Sequence, residues 1–257
     1  MKNQDENISI IKRIYPELSA VYEPEFGRRI HKIYIIETGE QKLVCRFENE
    51  LTAKHNLFVS QQLNSSGIIK VPEISICNCG KTYCEIYPFI PGKTFHERLT
   101  EGLSEDAQDS VYQQIFDISY KISQIPYNSQ FKTPITVIAK CASNLFNFFN
   151  IKNKKIYHTD LHAKNIILND EDNVFALIDL DAVYPEYFSL VLTRLIRDAK
   201  KYEYNVDKLK KFYENEKFET GILDLEKQMK IYSVFQKTFR FFINDCMYKQ
   251  LLKISIK

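Results

Sequence analysis

The sequence predicts an α+β protein of two lobes, a strand-rich segment over residues 1–88 and a helix-rich segment over residues 89–257. Three observations predict it. Short β-branched runs separated by turn residues fill the first third. A stretch with Pro88, Pro91 and Gly92 then interrupts the chain, where neither helix nor strand propagates easily. Beyond it, apolar residues recur at steps of three and four.

Taken in order, Ile30 to Glu37 and Lys42 to Phe47 read as a hairpin around Thr38-Gly39-Glu40. Glu50 to Leu63 reads as the one helix of this lobe, with Leu51, Phe58 and Leu63 on its apolar side and Ser65-Ser66-Gly67 ending it. Val71 to Ile76 and Thr82 to Tyr87 form a second hairpin around Asn78-Cys79-Gly80-Lys81. Tyr87 to Lys93 is the connector. After it, Val111, Ile115, Ile118, Ile122 and Ile125 draw an amphipathic stripe, and Ser104 followed by Glu105 and Asp106 supplies an N-terminal cap. A further helix is expected from Thr133-Pro134 to about Asn150, with proline at a tolerated first position. More helices are expected from Glu186 onward.

Composition excludes several classes. With 44% hydrophobic and 26% charged residues, the 257-residue chain is neither disordered, collagenous nor a coiled coil. Its 35 Lys and Arg against 33 Asp and Glu leave a net charge of +2, which argues against general nucleic-acid binding. No apolar run approaches the roughly 18 residues of a spanning helix. Met1 to Ile10 carries no apolar signal-peptide core. Six cysteines without extracellular context are expected as free thiols in a reducing compartment, and the protein is expected in the cytoplasm.

The chemistry concentrates in Ile156 to Val183. Two apolar strands, Ile166-Ile167-Leu168 and Val174 to Ile178, are joined by the polar turn Asn169 to Asn173. His158-Thr159-Asp160-Leu161-His162-Ala163-Lys164-Asn165 precedes the first strand, and Asp179-Leu180-Asp181 follows the second. An antiparallel hairpin brings those ends together, so Asp160, Asn165 and Asp179 are expected to converge. Phosphoryl transfer from ATP needs such a set. Magnesium takes oxygen ligands, which Asn165 and Asp179 offer, and Asp160 is a separate carboxylate able to accept the proton of an attacking hydroxyl.

Here the chain resembles the protein-kinase-like small-molecule phosphotransferases, the aminoglycoside phosphotransferase and choline kinase superfamily. Their loop H-x-D-L-H-x-x-N-[IV]-[IL]-[LF] is matched throughout residues 158–168, and their apolar run ending in I-D is matched by Leu177-Ile178-Asp179. The loop wording is nearest to the lipopolysaccharide kinases that phosphorylate the sugar acid Kdo, which typically read H-x-D-L-N-A-x-N-I-L-L and then D-F-D; Asp181 fits the second Asp. The resemblance implies a bilobal protein-kinase-like fold, with a nucleotide-binding lobe over 1–88 and a catalytic, substrate-binding helical lobe over 89–257. It implies ATP and Mg2+ as cofactors and transfer of the γ-phosphate to a hydroxyl. The favoured acceptor is a Kdo-type lipid-linked sugar, with choline, ethanolamine or an aminoglycoside as the alternative. A catalytically inactive binding module is the alternative of another class.

By the same resemblance Asp160 is the catalytic base, and Asn165 and Asp179 hold the metal. Arg46 stands at the strand position of the phosphate-binding cation, where choline-kinase-like enzymes often carry arginine. Glu50 lies at the start of the following helix, whereas the family spacing places the positioning glutamate near Ala53 or Asn56, so the resemblance supplies no definite acidic partner for Arg46. Gly27 is the single glycine of a degenerate phosphate loop, and backbone groups from Tyr87 to Phe89 would meet the adenine. Asp181 supports the metal site or touches substrate. His158 is expected as scaffold.

Two further stretches bear on partners. Cys77, Cys79 and Cys84 read as cysteines of a hairpin, because C-x-C-x-x-x-x-C without a nearby histidine is a poor zinc framework. Glu226 to Lys257 carries seven Lys or Arg against Glu226 and Asp245, interleaved with aromatics. It reads as helix with an aromatic core side and a solvated basic side, and the same composition suits peripheral contact with an anionic membrane surface.

Overall fold

The computed structural model describes residues 2–24, 32–39, 41–127, 155–186 and 188–215. The expected helix from Thr133 to Asn150, the glycine at 27 and the basic segment from Glu226 lie outside them. Two compact units are formed. The first comprises Met1–Glu97, Asn128–Thr133 and Lys164–Asp181, the second Arg98–Tyr127, Pro134–Ala163 and Ala182–Lys257. The boundary expected at residues 88 and 89 lies inside the first unit, which also takes the hairpin of the 166–178 stretch.

In chain order the first unit begins with helix Lys2–Ile14 (α1), strands Ala20–Tyr22 (β1), Lys32–Thr38 (β2) and Gln41–Glu48 (β3), and helix Glu50–Ser66 (α2). Strands Ser75–Asn78 (β4), Tyr83–Pro88 (β5) and Lys93–Thr94 (β6) and helix Phe95–Thr100 (α3) follow. Helix Glu105–Ser123 (α4) and strand Lys155–His158 (β7) come next, then Ile166–Leu168 (β8), Val174–Leu177 (β9) and Val183–Glu186 (β10). The described chain closes with helices Phe188–Lys201 (α5) and Val206–Asn215 (α6).

β-Branched and aromatic residues make β2 and β3 strands, and Gly39 at φ +56° turns between them. They pair antiparallel from Lys32↔Phe47 to Thr38↔Gln41. The full antiparallel sheet runs β1-β2-β3-β5-β4. Helix α2 is capped by Asn49, whose side chain accepts from the Thr52 amide, and ends at Gly67 with φ 66°. The first unit carries α1 as well as α2, where the sequence reading expects one helix. Ile8, Ile11 and Ile14 recur at helical spacing on α1, and Ile10 and Ile11 are buried against Tyr34, Ile36, Cys45 and Cys84 of the sheet.

A second, three-stranded sheet in the same unit has the order β6-β8-β9. Ile90, Ile167 and Ala176 form its small core. Gly92 sits at φ +125°, and a β-carbon there would stand 2.5 Å from the Leu168 carbonyl oxygen, so only glycine lets the connector lie against β8.

In the second unit Ser104 caps α4 by accepting the Ala107 amide, and Val111, Ile115, Ile118 and Ile122 are all buried, as their spacing demands. Phe188 of α5 stacks on Tyr213 of α6 at 5.9 Å and meets Phe116 of α4 edge-on at 5.5 Å. Lys208 of α6 bridges Asp109 and Glu105 of α4, both at 2.7 Å. Strands β7 and β10 pair antiparallel from His158↔Val183 to Lys155↔Glu186. Among the described residues, no helix is long and apolar enough to cross a membrane.

Candidate active site

Asn165 and Asp179 are brought together by the hairpin between them. Ile166 faces Leu177 in register, and one step further out the Ile178 amide donates to the Asn165 carbonyl at 3.0 Å. The turn that fixes this register is built by Asn169. Its Oδ1 accepts from the Glu171 and Asn173 amides at 3.1 and 2.9 Å. A short 3-10 turn, Ala163–Asn165, leads into β8 and buries Asn165. Past the end of β9, Asp179 takes φ 67°. Left-handed backbone is costly for a non-glycine residue, about 1–3 kcal/mol, and persists where the surrounding structure imposes it.

The Asp179 side chain is held by Arg46. This arginine is only 4% exposed, and each of its three guanidinium nitrogens meets a carboxylate. Nε donates to Glu48 Oε1 at 2.6 Å, Nη1 to Asp179 Oδ1 at 2.7 Å and Nη2 to Asp181 Oδ2 at 2.9 Å. The cation is held ionised despite its burial, because Asp179, Asp181 and Glu48 surround it. Arg46 therefore has an acidic partner, Glu48, which the sequence reading did not supply. A strand repeats every two residues, so positions 46 and 48 share one face.

The helix position that the family spacing assigns to a glutamate is taken by Asn56. Its Nδ2 donates to Glu85 Oε1 at 2.8 Å, and Glu85 is the cross-strand partner of Arg46. Burial pushes the Glu85 carboxyl up to about 8, with Glu48 and Asp181 adding to the rise and Arg46 and Asn56 opposing it. The shift favours the protonated acid. An amide serves such a neighbour in either state, donating from nitrogen to the carboxylate or accepting at oxygen from the acid.

Asp160 belongs to the second unit. Before it, Thr159 is fully buried and grips the Ala182 carbonyl twice, from its amide at 2.8 Å and its hydroxyl at 2.9 Å. After it, the His162 amide donates to the Asp160 carbonyl at 2.9 Å, closing a tight turn. Arg194 of α5 forms an ion pair with Asp160 Oδ1, and His162 Nε2 stands 3.7 Å from Oδ2. Asp198, one turn along α5, accepts the Ala163 amide. Glu48, Glu85, Arg194 and Asp198 are absent from the sequence-level site, and of these only Glu48 had a visible signal, while Asn56 entered it only as a position for the expected helix glutamate.

The Phe89 amide donates to the Lys42 carbonyl at 2.8 Å, and Pro88 has no N–H. Neither can meet a nucleotide base with an amide, which narrows the role expected for Tyr87 to Phe89. Burial raises the Tyr87 phenol. Asp181 is buried and bonded to Arg46, so it acts through that arginine. His158 is buried in β7, as a scaffold residue would be. Cys45, Cys77, Cys79 and Cys84 are free thiols.

Among the described residues, no group of three or more His, Cys, Asp or Glu is placed to hold a metal. Magnesium asks for less: one or two protein oxygens, with phosphates and water completing the octahedron. The hard-oxygen pair Asn165 and Asp179 fits that demand, and the Asp179 side chain is 37% exposed.

No family model and no curated protein matches the sequence. Solved structures do resemble the fold. ADP-bound aminoglycoside phosphotransferase APH(2'')-Ib superposes with a TM-score of 0.64 at 13% identity, over 96% of this chain and 94% of that one. The GDP and kanamycin complex of APH(2")-IIia gives 0.61 at 14% identity, over 97% of both chains. A spectinomycin phosphotransferase in complex with ADP and spectinomycin gives 0.61 at 14%, over 89% of this chain and 83% of that one. The chain has the protein-kinase-like fold of the aminoglycoside phosphotransferases.

Proposed function

We propose that this chain, which carries the aminoglycoside phosphotransferase fold, is an ATP- and magnesium-dependent kinase. It transfers the γ-phosphate to a hydroxyl of a small-molecule or lipid-linked sugar acceptor. The observation that carries the reading is Asp179 in left-handed backbone, bonded to Arg46 and hydrogen-bonded through its neighbour to Asn165, within that fold. Bound Mg·ATP would supply the phosphoryl group with its charge neutralised. Asn165 and Asp179 offer the metal its protein oxygens. Arg46 orients Asp179, and with Nε and Nη2 held by Glu48 and Asp181 only its Nη1 is left as a donor for a phosphate to share. Glu48 and Asp181 hold the guanidinium from the buried side and are positioning residues. Asp160 accepts the hydroxyl proton. Gly27 and the carbonyls of Tyr87 to Phe89 remain the proposed nucleotide contacts of the first unit.

The favoured acceptor is a Kdo-type sugar of lipopolysaccharide, on the wording of the 158–168 loop and on Asp181. Glu226 to Lys257 would then give peripheral contact with an anionic membrane surface from the cytoplasmic side. An aminoglycoside acceptor is the second reading, favoured by fold neighbours that hold kanamycin and spectinomycin.

Asp160→Asn tests the assignment. Phosphate transfer is expected to fall by about 10²–10⁴-fold, the usual contribution of a positioned general base, while Mg·ATP affinity measured by calorimetry stays at the wild-type value. Wild-type turnover by this variant removes Asp160 from the reaction.

A further inference from the structure

We infer that Arg194 makes the acceptor site selective for a hydroxy acid, a sugar or polyol carrying a carboxylate or like anion close to the hydroxyl that is phosphorylated. The inference rests on the kinase reading above and concerns the acceptor's charge.

Arg194 pairs with Asp160, the proposed base, through Oδ1 of the carboxylate. One turn further along α5, Asp198 accepts the Ala163 amide. Two successive turns of one helix thus grip both ends of the 160–163 loop. The helix is fixed beneath them, because Val191, Leu192, Leu195, Ile196 and Ala199 are buried. Arg194 and Asp160 keep 22% and 25% of their side chains exposed, so the pair can be reached by a dissolved ligand.

An arginine on the oxygen that must receive a proton opposes the transfer if it stays there alone. An acceptor that brings its own anion changes this. Guanidinium binds a carboxylate or phosphate as a two-pronged fork, so Arg194 can be shared with the acceptor or passed to it. That exchange does two things. It releases Asp160 Oδ1 toward the hydroxyl, and it fixes the hydroxyl beside Asp160 through the neighbouring anion. A cationic acceptor meets the reverse arrangement, with its ammonium group against Arg194 and the carboxylate it needs already paired. His162, 3.7 Å from Oδ2, adds no negative charge to attract it.

The test uses the full chain with Mg·ATP. Kdo and glucuronate are each compared with their own methyl esters, which keep every hydroxyl and lose the charge, and glucosamine serves as the cationic sugar. Wild type is expected to prefer at least one acid over its ester by about tenfold or more in kcat/KM, the scale of one charge-assisted hydrogen bond. Arg194→Gln is expected to bring that ratio close to one, chiefly through KM for the acid, and Arg194→Lys to fall between. A purely structural arginine would lower the melting temperature and leave the ratio alone. Thermal protection by the same ligands is measured alongside. Protection by an acid but not its ester, lost in Arg194→Gln, supports the anion site even if neither acid is turned over; the kinase reading fails separately, if no label passes from γ-labelled ATP to any acceptor of a total cell extract. Equal protection by acid and ester, protection by neither acid, an unchanged ratio in Arg194→Gln and Arg194→Lys, or a preference for glucosamine each overturns the inference.

Discussion

Replacing Arg46 with methionine is expected to cost about 3–5 kcal/mol of stability, the penalty for stranding buried charges by removing their partner. The side chains of Glu48 and Asp181 are 3% and 8% exposed, so neither can recover its lost ion pair from water. Asp179 is more exposed and loses its ion pair with Arg46 as well. The loss should appear in the midpoint of denaturant unfolding. Adding Glu48→Gln and Asp181→Asn to the methionine variant should recover part of it, because the cause is uncompensated charge and not lost volume. Lysine cannot substitute, since one ammonium does not reach three carboxylates at 2.6–2.9 Å in the plane of a fork. Wild-type unfolding by the methionine variant would show that the cluster contributes nothing to the fold.

Glu85→Gln is expected to flatten the pH dependence of stability. Burial raises the folded carboxyl to about 8, whereas an unfolded glutamate titrates near its ordinary 4.5. Below that lower value both states hold the proton. Between the two values the unfolded chain releases it and the folded chain keeps it. Stability from this group is therefore complete in acid and is lost progressively as pH rises toward 8. Arg46, Glu48, Asp181 and Asn56 are the groups that face it, and the arginine keeps its charge throughout. The variant keeps the shape and cannot ionise. Its advantage over wild type, read from paired unfolding curves, should be smallest near pH 4 and grow toward pH 8. A constant difference across that range would place the Glu85 titration elsewhere.

The parts of this site that the sequence makes legible are those that are local in the chain. The 158–168 loop, the turn at Asn169 and the two strands fix the Asn165–Asp179 pair within one hairpin, where spacing alone sets the register. The α4 stripe and its Ser104 cap are equally local. Helix α1 carries a readable isoleucine spacing, but the polar turn from Lys2 to Asn7 dilutes it. Glu48 lies two residues from Arg46 and is readable by strand alternation once attention moves off the following helix. Asn56 with Glu85 and Arg194 with Asp160 join residues 29 and 34 positions apart on different elements, and no periodicity relates such pairs. Burial decides the ionisation of Glu85, and burial is a property of the packed structure.

Phosphoryl transfer is tested with γ-labelled ATP, magnesium and a total cell extract, run beside Asp160→Asn. Label should enter an acceptor with the wild-type protein and not with the variant, and partition of the product should place it in the lipid phase if the acceptor is a lipid-linked sugar. Label in the aqueous phase would keep the kinase and move the acceptor to a free sugar, amino alcohol or antibiotic. Magnesium-dependent ATP binding with no labelled product from either protein would contradict the account and leave a nucleotide-binding module in its place.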